Sequence, residues 1–329
     1  MTSIRMVGTG SYVPDRILTN HDLAKMVDTT DEWIVKRTGI RERRIAEPHV
    51  NTSDLAKEAS LNALERAKMT PEELDLIIMA TITPDTCCPA AANWLQAKLG
   101  ASNAVSFDVT AACTGFIFAL STAEQYLKTG LYGNALVVAS EVLSRTVDWN
   151  DRANSILWGD AAGAVVLKES TKGGVLLSTH IHSHTAGGEN LLLPGGGSTT
   201  TPISPESVEK GVHLLRLIEA SKTFKVAVKR FAESCEEAAA HNGYSMSEID
   251  VIIPHQANLR ILHAFAERLK VPKEKVFVTI DKYGNSSAAT VPFALDQAVR
   301  SGRIQPGSKV ILTAFGGGLT WGSAFVDWQ

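Results

Sequence analysis

The 329-residue chain has no run approaching the roughly 18 consecutive apolar residues of a membrane-spanning helix, which excludes such a span. Its opening, MTSIRMVGTGSYVP, leads into a strand-like segment without the long apolar core of a secretory signal, so a cytoplasmic setting is expected. Cysteine is scarce. Four in a chain of this length do not make a disulfide scaffold, and reduced thiols are expected. An excess of one charge is also missing: 32 Lys+Arg against 35 Asp+Glu leave a formal net charge of -3. That balance gives neither nucleic acid nor an anionic membrane a general attraction, and anion binding must come from a local patch. What is present, 44% hydrophobic and 20% charged residues, describes a globular protein that buries a sizeable interior, as two ordinary domains or one large fused core.

Short β-branched runs alternate with longer helical stretches, the pattern of an α/β fold with buried parallel strands. The runs recur in pairs. LDLIIMAT at 74–81 matches IDVIIPHQ at 249–256, and VSFDV at 105–109 matches VFVTI at 276–280. ALVVAS at 135–140 matches KVILTAF at 309–315, and GDAAGAVVL at 159–167 matches GLTWGSAFV at 318–326. Four pairs in one order point to an internal duplication, with halves 1–170 and 171–329 divided at the turn-rich ESTKGG. Ligands of α/β sheets gather beyond the carboxyl ends of strands, so equivalent strand ends of the two halves are expected to face each other.

Those ends carry three reactive residues. Cys113, in Thr110-Ala-Ala-Cys-Thr-Gly-Phe116, follows the strand VSFDV and opens the helical stretch FIFALSTAEQYLKTG. A thiol at a helix N-terminus meets unpaired backbone N–H groups and the positive end of the macrodipole, which favour the nucleophilic thiolate. The small residues Ala111, Ala112 and Gly115 leave room for a substrate, whereas Cys235 in AESCEEAAAH reads as an ordinary buried cysteine. His255 ends its strand in Pro254-His-Gln-Ala-Asn258, and Asn285 lies in the turn-forming Tyr283-Gly-Asn-Ser-Ser287. A histidine there is often hydrogen-bonded filler, and an asparagine in such a turn is often a cap. Together they form a nucleophile with two polar partners.

With these motifs the sequence resembles the thiolase-fold condensing enzymes, most closely the β-ketoacyl-acyl-carrier-protein synthase III family. The resemblance spans essentially the whole chain. It rests on Thr29-Thr-Asp-Glu-Trp-Ile34, Arg37-Thr-Gly-Ile-Arg41, Ala112-Cys-Thr-Gly115, Gly159-Asp-Ala-Ala-Gly163, Pro254-His-Gln-Ala-Asn-Leu-Arg260, Tyr283-Gly-Asn-Ser-Ser287 and Phe315-Gly-Gly-Gly-Leu-Thr-Trp-Gly322. It implies a duplicated thiolase-like five-layer αβαβα sandwich, normally a homodimer. The implied reaction is a decarboxylative Claisen condensation of an acyl-CoA starter with malonyl-acyl carrier protein, initiating fatty-acid synthesis. Cys113 would carry the acyl group, backbone N–H groups of Cys113 and Gly317 would hold the oxyanion, and His255 and Asn285 would stabilise the enolate. By the same resemblance CoA is met by Trp33 and Arg152 around the adenine, with Arg37 on phosphate and Asn258 nearby. Arg37 belongs to a basic stretch of Lys36, Arg37, Arg41, Arg43 and Arg44. The carrier protein would dock on Gln256, Ala257, Asn258, Leu259 and Arg260, and Cys88, Trp158, Phe224 and Phe315 would shape the acyl pocket. No cofactor or metal is implied; acyl-CoA is a substrate.

Two departures from the family pattern concern that pocket. Ile218-Glu-Ala-Ser-Lys-Thr-Phe224 puts Ala220 where a glycine is expected beside the pantetheine tunnel. Trp158 stands where Phe is common, and Cys88 where a larger aromatic often reaches the partner subunit's pocket. His180, His182 and His184 alternate along one strand face, yet with no carboxylate or cysteine nearby in sequence they read as solvent-facing or dimer-edge residues. Alternatives are a polyketide or secondary-metabolite starter synthase of the same fold, a Cys-His-Asn thioester hydrolase, and a non-catalytic acyl-carrier binding module. The duplication and the GDAAG and GGGLTWG motifs argue against the hydrolase, and the three reactive residues argue against the module.

Overall fold

The structure, a computed structural model, describes residues 3–171, 173–184, 191–198, 203–218 and 220–329. The side chains of 220–223, Ala220 among them, lie outside that description. Nine strands make the main sheet: β1 Ile4–Tyr12, β2 Leu76–Ala80, β3 Val105–Val109, β4 Asn134–Glu141, β5 Ala161–Glu169, β6 Gly174–Ser183, β7 Val251–Pro254, β8 Lys309–Gly316 and β9 Thr320–Trp328. Their spatial order is β7-β8-β9-β6-β1-β5-β4-β2-β3. In the first half β2 runs parallel to β3 and β4, while the β4–β5 and β5–β1 pairs are antiparallel. The second half repeats this with β7–β8 parallel and β8–β9 and β9–β6 antiparallel. Even the register repeats, since Ile77 faces Leu136 in one half and Ile252 faces Ile311 in the other. Asp75 and Asp250 play one part twice, accepting the N–H of Asn134 and of Lys309 where the neighbouring strand begins.

One expected strand fails to form. The run 276–280 alternates like VSFDV, but it makes only an isolated bridge from Val276 to Ile252, backed by the Phe277 N–H donating to Ile252 at 2.9 Å. Ile280 already opens a helical turn, Ile280–Tyr283, so the segment bends away before a ladder can extend. The halves join where β1 meets β6, through the pairs Arg5–Val175 and Met6–Gly174.

Alternating side chains send each central strand to two different layers. On one outer face, α1 (Thr52–Ala67) and α2 (Ala91–Leu99) bring Leu55, Ala59 and Leu95 onto Ile77, Met79 and Leu136. On the other, α4 (Ala220–His241) and α5 (Leu259–Leu269) bring Phe231, Cys235 and Phe265 onto Ile252, Ile311 and Phe325. Between the halves lie α3 (Gly115–Lys128) and α6 (Thr290–Arg300), whose Phe116, Leu120, Val291 and Leu295 pack with Ile78, Val137, Ile253 and Leu312. Three apolar clusters and two sheet halves make the five-layer αβαβα sandwich. No helix among the described residues is long and apolar enough to cross a membrane.

Candidate active site

The central helices α3 and α6 each begin at a tight turn. Before α3, Ala112–Thr114 form a 3-10 turn in which Ala112 has φ 46; before α6, Ser287–Ala289 form another in which Ser287 has φ 50. Residues other than glycine at positive φ cost about 1–3 kcal/mol, so surrounding contacts must hold them. Around Ser287 they are visible: its N–H donates to Asn285 Oδ1 at 2.8 Å, and its carbonyl accepts from Thr290 Oγ1 at 2.9 Å. Near Cys113, the Thr114 hydroxyl donates to Ala111 O at 2.6 Å and lies 2.5 Å from the Thr320 hydroxyl. Gly316, at the end of β8, lies flat against this turn. A Cβ there would stand 2.9 Å from the Cys113 nitrogen, which only glycine avoids.

Cys113, His255 and Asn285, with Gly317, line one cavity of about 500 Å³. Trp158, Phe224 and Phe315 supply apolar wall, joined by Leu157, Leu191, Leu217, Ile261 and Leu319, which sequence reasoning did not find. Ala257, Asn258, Arg260 and Lys225 also line it. Cys88 does not line this cavity; it is an exposed free thiol, as is Cys87.

The protonation state of Cys113 reverses the expectation from its helix position. Burial pushes the thiol up to about 11, against hydrogen bonds from Ser287 and from the backbone N–H groups of Cys113 and Gly317, and a negative Glu141 pushes the same way. A helix terminus is worth about 0.3–1 kcal/mol, whereas each pKa unit of desolvation is worth about 1.4. Burial wins, and the resting sulfur is a thiol. His255, 1% exposed, is held down to about 3 by burial and is a neutral imidazole at working pH. Its Nδ1 lies 2.6 Å from Thr290 Oγ1. The Ser287 N–H on Asn285 Oδ1 fixes which end of that amide is oxygen and leaves Nδ2 as the donor.

Other expectations need correction. Gln256 is 1% exposed; its Nε2 donates to Pro254 O and Phe277 O, and its Oε1 accepts from the N–H groups of Thr279 and Ile280. It braces the turn after β7 and offers no side chain to a carrier protein. Asn258 caps α5, its Oδ1 accepting the Arg260 N–H at 2.9 Å while its Nδ2 donates to Arg37 O at 3.0 Å. Leu259 packs over Gly39 and Arg260 is exposed. Within the basic stretch, Arg43 is fully buried and donates to Leu18 O, Asn20 Oδ1 and Ile156 O, so it belongs to no surface patch. Arg44, half-buried, donates to Pro14 O. Trp33 and Arg152 come together, but directly: the guanidinium lies 4.7 Å from the ring centroid, and Arg37 lies 4.0 Å from it. A flat base enters between Trp33 and Arg152 only if they part.

The alternating histidines also gain a partner that sequence proximity did not show. Glu237 from α4 lies 2.8 Å from His182 Nε2 and 3.5 Å from His180 Nδ1, and His182 stacks on Trp321. Among the described residues no group of three or more His, Cys, Asp or Glu is arranged to hold a metal ion.

A duplicated αβαβα sandwich with a cysteine, a neutral histidine and an asparagine at the seam defines a thiolase-fold condensing enzyme. Known proteins narrow this. Residues 107–185 match the family model for 3-oxoacyl-[acyl-carrier-protein (ACP)] synthase III, and residues 239–328 match the model for its C-terminal part. The β-ketoacyl-[acyl-carrier-protein] synthase III of Desulfitobacterium hafniense (strain Y51) is 50% identical over 329 residues, covering 100% of this chain and 99% of that relative. The crystal structure of 3-oxoacyl-[acyl-carrier-protein] synthase III from Aquifex aeolicus VF5 is 43% identical with a TM-score of 0.91, covering 98% of this chain and 99% of that one. The priming β-ketosynthase of the R1128 polyketide pathway has a TM-score of 0.91 at 35% identity, covering 98% and 96%. The chain belongs to the β-ketoacyl-acyl-carrier-protein synthase III family, and it is an acyltransferase.

Proposed function

We propose that the 500 Å³ cavity joins an acyl group from acyl-CoA to malonyl-acyl carrier protein by decarboxylative condensation, the first step of fatty-acid synthesis. The observation that carries this reading is the convergence of Cys113, His255, Asn285 and Gly317 on one apolar-walled space. In the first half-reaction Cys113 Sγ attacks the thioester carbon, the C–S bond to CoA breaks, and the acyl group stays on the cysteine. The N–H groups of Cys113 and Gly317 that point at the sulfur hold the tetrahedral oxyanion. In the second, loss of CO2 from the malonyl group leaves an enolate whose oxygen takes hydrogen bonds from His255 Nε2 and Asn285 Nδ2. That role requires the imidazole proton on Nε2, with Thr290 Oγ1, 2.6 Å from Nδ1, turning its one proton from Ser287 O to that nitrogen. The enolate carbon then attacks the acyl thioester and expels the Cys113 sulfur.

Access runs past Asn258 to Arg37, Trp33 and Arg152, which would hold the CoA nucleotide once Trp33 and Arg152 part. Ala257, Leu259 and exposed Arg260 present the face on which an acidic carrier protein docks. The working form is a cytoplasmic homodimer in which the exposed loop bearing Cys88 closes the partner subunit's acyl pocket. The test is intact-mass analysis after incubation with acyl-CoA. Wild type gains one acyl mass and Cys113→Ala gains none; an adduct that persists in the variant removes Cys113 from the reaction.

A further inference from the structure

Cys113 starts as a buried thiol, so its proton must go somewhere as the sulfur attacks. No hydrogen bond joins Cys113 to His255 among the described residues; the side chain within reach of the sulfur is Ser287, whose Oγ lies 3.7 Å from Sγ. Behind Ser287 lies a carboxyl that the condensation chemistry above leaves unused. Glu141, at the end of β4, is fully buried, and the Ser287 hydroxyl reaches it. Its Oε2 is filled by Thr83 Oγ1 at 2.7 Å, Thr81 Oγ1 at 3.1 Å and the Ile82 N–H at 3.1 Å, while Oε1 takes only a longer 3.3 Å contact from the same N–H. Oε1 is thus the open end.

We propose that Glu141 and Ser287 form a proton relay that empties and refills the Cys113 thiol during the acyl-transfer cycle. In the structure the Ser287 hydroxyl points at Sγ; it has one proton and two neighbours, so an ionised Glu141 draws that proton to itself and leaves the serine lone pairs facing the Cys113 S–H. On attack the S–H bond breaks and its proton passes to Ser287 Oγ, as the Ser287 hydroxyl proton passes to Glu141. The sulfur pair forms the bond to the acyl carbon and CoA departs as thiolate. When condensation expels the Cys113 sulfur, the two protons step back, and Glu141 is again a carboxylate. Glu141 holds one proton for the lifetime of the acyl-enzyme, and its own charge beside the sulfur is cancelled meanwhile.

The electrostatics suit this cycle. Burial raises Glu141 to about 7, while Thr83, Ile82, Thr81 and Ser287 hydrogen bonds hold it from rising further. A carboxyl poised near neutrality both accepts and returns a proton. The neighbours from the loop after β2 (Thr81, Ile82, Thr83) and from the turn before α6 (Ser287) carry no charge; the titratable group whose interaction with Glu141 is resolved is Cys113 itself, at the turn before α3. Glu141 acts through Ser287 and never touches substrate.

The proposal rests on Cys113 being the acylated thiol, and its test separates the two ideas. Single-turnover acylation is followed by intact mass from pH 5.5 to 9 in wild type, Glu141→Gln and Ser287→Ala. Wild-type rate should rise with pH through about 7 and level off. Glu141→Gln should be slower by on the order of a hundredfold at pH 8 and lose that inflection. Glu141 as a mere charged neighbour makes the opposite forecast, since removing a negative charge beside the sulfur eases thiolate formation and speeds acylation. Decarboxylation of malonyl-acyl carrier protein, which needs no thiol proton, should stay within about twofold of wild type in both variants. Equal loss of both partial reactions, or an unchanged rate and pH profile of acylation, overturns the relay. An adduct that forms on a residue other than Cys113 in wild type overturns the acyl-transfer reading, and the relay with it.

Discussion

The turn that opens α3 and the turn that opens α6 are copies of one device with different contents. Each places a residue other than glycine at positive φ, Ala112 or Ser287, as the first residue of a 3-10 turn that leads into a central helix. Superposed by strand register, Cys113 falls on Ala288, His255 on Ala80 and Glu141 on Gly316. Each of these three faces an alanine or glycine in the other half, whereas Asn285 falls on Thr110. The reason is space. A Cβ on Gly115 would stand 3.1 Å from Ala80 Cβ and 3.3 Å from Ala288 Cβ, so the seam has no room for two functional sets. Duplication supplies two equivalent strand-end turns, and divergence leaves the thiol in one half and the imidazole and amide in the other.

Transplanting the nucleophile is the harshest way to break this comparison. In the double variant Cys113→Ala/Ala288→Cys the thiol sits at the equivalent turn, but the Gly317 N–H and the Ser287 hydroxyl still point at position 113. No acyl adduct is expected on intact protein. Acylation of the transplanted thiol at even a tenth of the wild-type rate would mean that the turn alone makes the nucleophile. A gentler cut removes the partners. His255→Ala and Asn285→Ala should each slow condensation by on the order of a hundredfold or more while sparing acylation, because the enolate, not the acyl carbonyl, loses its donor. Separate rates of CoA release and of 3-oxoacyl product formation check this. Equal damage to both steps would show that these residues act before the enolate exists.

The same contrast explains what the sequence makes legible. Strand pairs and their order can be read because each half repeats period-2 apolar runs at equal intervals. The run 276–280 reads as a strand for that reason and fails because a helical turn begins at Ile280. Cys113, His255 and Asn285 are legible from their place at strand ends and from motifs. Glu141 and Thr290 are not, because a carboxyl or hydroxyl in an apolar run declares nothing until tertiary contacts bring it to Ser287 and His255. Arg43 looks like one more surface cation in a basic stretch; only the fold shows it buried with three oxygen acceptors. Gln256 likewise sits in a docking motif yet spends its amide on backbone. Residue type announces chemistry, and burial decides where it is used.

The smallest expected effect sets the two halves against each other in stability. His255, from the second half, is depressed in the folded state from 6.5 to about 3, so the folded protein resists its protonation. Its contribution is fully present above pH 6.5 and is lost as pH falls toward 3. Glu141, from the first half, is raised from 4.5 to about 7, so the folded protein keeps its proton longer than the unfolded chain. Its contribution is present below pH 4.5 and is lost as pH rises through 7. The two groups therefore pull the pH–stability curve in opposite directions. Measured as Tm at fixed ionic strength, Glu141→Gln should gain on wild type as pH goes from 5 to 8, whatever the offset between them at pH 5. His255→Gln should gain on wild type as pH goes from 7 down to 4. Differences that stay flat across both ranges would mean that these groups titrate alike in the folded and unfolded chain. The buried charge at the seam would then carry no cost to the fold.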